Sequence, residues 1–220
     1  MKTTSLIARV GLLTSLALSS ACNSAGHQQA DSTGMSMDNL RVAVVALKDK
    51  VSAAATSLAS VVEKADIDPK ASFEQYSKDV TAMTSAMEKG ESTLKSMRDQ
   101  GQAYFAEWQK QAATISDPDL KKKAEERREK LSKAIAAVSD AMAEARTELA
   151  PYVKTNEDVR TYLKNDLTPE GIKSVADKSK QIGKDSKSIG KKIDEVVEAL
   201  DKGAPEFKTA KPPPPAETKT

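Results

Sequence analysis

From Phe73 to Leu163, apolar or small residues recur at alternating steps of three and four, with one short break at Ser116-Asp117-Pro118-Asp119. Such spacing is the heptad seam of helices that meet along narrow stripes. Before the break the seam runs Phe73, Tyr76, Val80, Met83, Met87, Gly90, Leu94, Met97, Gly101, Tyr104, Trp108, Gln111 and Ile115. After it come Leu120, Ala124, Leu131, Ile135, Val138, Met142, Ala145, Leu149, Tyr152, Val159 and Leu163, with one slip of register between Ala124 and Ile135. Pro118 and Asp117 supply stop and start signals. The stretch therefore reads as a long antiparallel hairpin, about 69–115 and 119–164, each arm roughly 70 Å long. Pro151 removes one backbone hydrogen bond and predicts a kink near Glu148 to Pro151.

Two shorter helices flank it. Met37, Leu40, Val44, Leu47, Val51, Ala54, Leu58 and Val61 continue the same spacing over about 36–66, ended by Ile67-Asp68-Pro69. Thr168-Pro169-Glu170 signals a start, and Ile172, Val175, Ser179, Ile182, Ser186, Ile189, Ile193, Val196 and Leu200 mark a fourth helix over about 168–202. Gly203 would cap its end. Both flanking helices join the same end of the hairpin and are shorter, roughly 42–50 Å. The expected fold is all-α: one domain, 36–203, with a four-helix bundle over the connected half and a coiled-coil tip protruding beyond it.

A hairpin turning at about residue 117 sets Gly101 against Ala134, Gly90 against Ala145, Met97 against Val138 and Tyr76 against Val159. Two small-on-small crossings predict close backbone approach. Trp108 would face Arg127 or Arg128, in reach of a cation–π stack.

The N-terminus has its own logic. Lys2 and Arg9 precede an apolar run from Val10 to Leu18, then Ser19-Ser20-Ala21-Cys22. The run is too short to span a membrane and reads as a secretory signal, 1–21. Leu18-Ser19-Ser20-Ala21-Cys22 resembles a bacterial lipobox, although Ser19 stands where leucine is commonest. The resemblance implies that Cys22, the only cysteine, is lipidated and becomes the mature N-terminus. Asn23, in place of the aspartate that retains lipoproteins at the inner membrane, implies the outer membrane facing the periplasm. Polar, small residues over 22–35, including the only histidine, His27, read as a flexible tether. At the other end, 204–220 carries four consecutive prolines from Pro212 to Pro215 and reads as a disordered tail with a polyproline rod.

Tyr104-Phe105-Ala106-Glu107-Trp108, the segment Ala141 to Val153, and Tyr162-Leu163-Lys164-Asn165-Asp166-Leu167 resemble a family of bacterial helical lipoproteins known only as a domain of unknown function. The resemblance covers most of the chain beyond the signal. It implies an exported coiled-coil lipoprotein and brings no catalytic residues.

Chemistry is sparse. One cysteine, one histidine in a tether and acids interleaved with lysines offer no metal site, nucleophile–base pair or phosphate loop. The expectation is a non-enzyme with no cofactor. Lys and Arg number 34 against 32 Asp and Glu, and Lys2 and Arg9 lie in the acid-free leader, so the remainder is formally neutral. Neutrality argues against a general nucleic-acid binder. The candidate interaction residues are Phe105, off the seam, with Trp108, Lys122, Arg127 and Arg128 at the tip. Lys173, Lys180, Lys184, Lys187 and Lys191 form a basic stripe suited to anionic lipid heads or wall polymers. Two functions fit: a lipid-anchored spacer or scaffold that meets an envelope protein through the hairpin, and a periplasmic module that holds a lipid or hydrophobic client segment between bundle helices. The heptads also permit association between copies of the chain.

Overall fold

The computed structural model describes residues 25–208. The expected signal 1–21, Cys22 and the prolines 212–215 lie outside them. The elements are α1 (Ala25–Glu63), α2 (Pro69–Ala112), α3 (Pro118–Asn165), the short α4 (Pro169–Ser174), α5 (Ala176–Gly203) and a terminal 3-10 turn (Ala204–Phe207). Among the described residues there is no strand.

Local chemistry sets the boundaries. Asp68 accepts from the Ala71 amide at 3.1 Å, and Asp117 accepts from the amides of Asp119 and Leu120 at 2.9 Å. Thr168 Oγ1 accepts from the Gly171 amide at 3.1 Å. A proline follows each of these caps, where its missing N–H costs nothing. The α3 helix continues through Pro151 without interruption. The expected fourth helix is instead two, broken at Val175, whose φ and ψ of −98° and 1° leave the helical well.

Successive long helices run antiparallel and close a four-helix ring in the order α1, α2, α3, α5. Gly26 meets Gln111, Arg41 pairs with Asp201, and Lys48 with Asp194. Across the diagonal, Tyr152 donates its hydroxyl to the Val51 carbonyl at 3.1 Å. The seam residues form one continuous core; Met37, Leu40, Leu58, Tyr76, Met83, Met97, Leu131, Leu163, Ile172, Ile182, Ile189 and Ile193 are all fully buried. Burial of such stripes is the main stabilising term, at about 25 cal/mol for each Å² of apolar surface.

Two expectations about the ends are corrected. Helix α1 begins at Ala25, so 25–35 is helical rather than a tether. Ala30, Thr33 and Met37 extend the three-four spacing and are buried, and the hydroxyls are satisfied locally: Thr33 donates to the Gln29 carbonyl, Ser36 to that of Thr33. Polar composition hid a burial pattern. In consequence the hairpin tip does not protrude as a two-helix stalk, because α1 lies along α2 to its end. Nor is 204–207 a tail. Phe207 is 2% exposed and packs edge-on against Tyr104, with ring centroids 6.0 Å apart. Gly203 keeps a right-handed φ of −82° and serves as a packing position against Met37 and Ala134, not as a left-handed cap.

Candidate functional site

The α2–α3 seam is pinned at two places. Near the corner, Ile135 Cδ1 fills the position that a Cβ on Gly101 would take, so the helices are in close contact. This is one residue from the expected Gly101–Ala134 crossing. At the other end, Tyr76 donates its hydroxyl to the Asn156 carbonyl at 2.9 Å, and Asn156 Nδ2 donates to the Tyr152 carbonyl at 2.9 Å. Three buried polar groups are thereby satisfied inside an apolar core.

Between the pins the seam opens. A Cβ on Gly90 would find nothing within 4 Å, so the predicted close approach to Ala145 does not occur. Two small residues can be accommodated by approach or by a void. Here there is open space, lined also by Val44 and Leu47 of α1 and Ile193 and Val196 of α5. The result is a groove of about 690 Å³. Met87 and Leu94 of α2 and Met142 and Ala145 of α3 form its walls. Met87, Leu94 and Met142 are only half-buried, although they occupy seam positions.

The mouth is polar. Arg146 Nε reaches Glu91 across it at 2.9 Å, and Arg98 Nε donates to Ser139 Oγ at 3.1 Å. Asp99 is engaged by Lys95 at 2.6 Å. Arg98 has no carboxylate partner among the described residues. The arrangement is an apolar trough with charged groups along one rim, within the size range of ligand pockets.

The corner residues are distributed differently from the sequence expectation. Trp108 is half-buried and stacks edge-on with Tyr104 at 5.5 Å, while Phe105 packs at 5.4 Å from the same ring. Arg127 does not stack on Trp108. Its guanidinium is committed to Glu206, with Nη1 to Oε2 at 2.6 Å and Nη2 to the backbone carbonyl at 2.5 Å. Lys130 and Arg127 hold the Glu206 carboxyl below its ordinary range. Arg128 pairs with Glu125 one turn away, and Lys122 lies 4.0 Å from Glu126. Burial pushes the Tyr104 phenol up, and the charge of Arg127 opposes that. Of the tip candidates, then, Lys122 is exposed, whereas Phe105, Trp108 and Arg127 belong to the packed corner.

The family model described as "Protein of unknown function (DUF2959)" matches residues 19–205. The chain belongs to this family. No curated protein and no solved structure matches it.

The DUF2959 match thus takes in all four long helices and the groove between them. Lys173, Lys180, Lys184, Lys187 and Lys191 are all exposed, on α4 and one face of α5. Lys180 pairs with Asp177 at 3.0 Å, and the other four have no ion-pair partner among the described residues. The stripe lies on a different helix from the groove walls. Among the described residues no group of three or more His, Cys, Asp or Glu is placed to hold a metal ion. No described helix is long and apolar enough to cross a membrane. Sequence reasoning allowed for a ligand between bundle helices but did not place the groove; Met87, Leu94, Met142 and Ala145 on the α2 and α3 seams line it.

Proposed function

We propose that this chain is a lipid-anchored binding module of the cell envelope, not an enzyme, and that it holds a lipid or hydrophobic client segment between its bundle helices. The observation that carries this reading is the open α2–α3 groove. Three large apolar side chains at heptad positions stay half-buried there, in a fold that closes the same seam at both ends. A groove of about 690 Å³ with an apolar floor and a polar rim has the make-up of a site for a partly apolar ligand. The lipobox-like ending at Cys22 supports attachment to a membrane, and Asn23 supports the outer one.

The test is native mass spectrometry of the full mature protein gently extracted from membranes. Co-purified lipid or peptide, lost in Leu94→Trp, is the expected result. An empty groove in wild-type protein from several preparations would overturn the reading.

The second reading, a spacer that meets an envelope protein, is favoured by the length of α3, 48 residues or about 72 Å, and by Leu120, which is 57% exposed at the corner. Cross-linking from positions 120–122 to one reproducible envelope protein would support it.

A further inference from the structure

We infer that the groove is built for a single-chain amphiphile with an anionic head, whose carboxylate or similar acid is received by Arg98. The inference rests on the binding reading above and adds the chemical class of the ligand. Its grounds are the distribution of charge along the mouth. Glu91 is taken by Arg146 and Asp99 by Lys95, so both acids at the rim are already paired. Arg98 remains as a cation with no carboxylate partner among the described residues. Its hydrogen bond to Ser139 uses Nε and fixes the side chain across the mouth, leaving the terminal nitrogens for an acceptor. Guanidinium and carboxylate match in a two-point geometry that an ammonium cannot reproduce.

The floor explains why the rest of the ligand would be a flexible chain. Met87, Leu94 and Met142 line the groove, which lies between the two pinned crossings. Methionine adapts to irregular apolar shapes at little cost. An acyl chain can take up the shape of such an adaptable apolar lining.

The experiment uses the full mature protein with cis-parinaric acid, a fluorescent polyene fatty acid, and with its neutral methyl ester. Wild-type protein should bind the acid about tenfold more tightly than the ester, the value of one charge-assisted contact. Arg98→Gln should abolish that preference and leave ester binding unchanged, and Arg98→Lys should restore part of it. Circular dichroism confirms that the variants keep the fold. Equal binding of acid and ester by wild type would overturn the head-group assignment while leaving the groove reading intact. An acid preference that survives Arg98→Gln would overturn the role of Arg98. Failure to bind either probe would overturn both readings.

Discussion

Ile135 occupies the space beside Gly101 that any larger residue would need, whereas nothing occupies the equivalent space beside Gly90. Two glycines about three turns apart on the same helix therefore have opposite roles. Gly101 permits contact, and Gly90 has room for a Cβ.

Alanine separates them. Gly90→Ala should stabilise the protein by about 0.5–1 kcal/mol, from helix propensity alone. Gly101→Ala gains the same propensity but meets Ile135 Cδ1, and should be destabilising by about 1 kcal/mol. In an Ile135→Val background, which removes that atom, the Gly101→Ala penalty should vanish. Urea denaturation of the four variants measures this; equal effects at the two glycines would contradict the packing described.

Alkaline stability should depend on the buried tyrosines. Tyr152 is pushed up to about 12 by burial, partly opposed by hydrogen bonds from its neighbours, and burial also raises Tyr76. The folded protein then holds these protons where the unfolded chain, titrating near 10, releases them. Their contribution is intact below about pH 10 and is lost as pH rises toward 12, on the order of 2–3 kcal/mol for Tyr152. Tyr152→Phe should lower stability at neutral pH by about 1 kcal/mol through the lost bond to Val51, yet flatten the decline above pH 10. A parallel decline in both proteins would refute the assignment.

Truncation should locate the end of the folded unit. Removing 209–220 should leave Tm unchanged. Removing 204–220 takes away Phe207 and the Glu206 partner of Arg127 and Lys130, and should cost about 3 kcal/mol or more. Because Glu206 is held below its ordinary pKa, its contribution is present above the ordinary carboxylate range and is lost as pH falls. Glu206→Gln should therefore weaken the protein at pH 7 and make little difference near pH 3, read by thermal melts at both pH values.

Attachment can be examined separately from folding. Cys22→Ala should move the protein from the membrane fraction to the soluble fraction, with an unchanged circular dichroism spectrum. Retention on membranes after that change would remove lipidation from the proposal.

The helices were legible because their signals are local. Asp68, Asp117 and Thr168 cap as short-range chemistry dictates, and the heptad positions report their own burial. What escaped was set by partners distant in sequence. Ala30 and Thr33 sit in a polar, glycine-containing stretch, and only packing within the bundle makes it a helix. Phe207 follows a glycine and a proline and precedes a proline-rich run, yet it finds Tyr104, a hundred residues earlier. At Gly90 and Ala145 periodicity predicted a close crossing, but a Cβ on Gly90 would find nothing within 4 Å, and spacing along the chain cannot report the distance between helices.

The start of α1 beside the α2–α3 corner has a consequence for reach. Only two residues, Asn23 and Ser24, separate Cys22 from Ala25, a span of at most about 11 Å of extended chain. If Cys22 is acylated, the corner is held close to the bilayer and cannot swing far from it. The groove near Leu94 then stands roughly 27 Å along α2 from the corner, and the stripe from Lys191 back to Lys180 begins about 18 Å along α5 from Gly203 and extends away from that end. On that condition any cargo would be carried at mid-height, and the basic face would point away from the anchoring membrane rather than toward it.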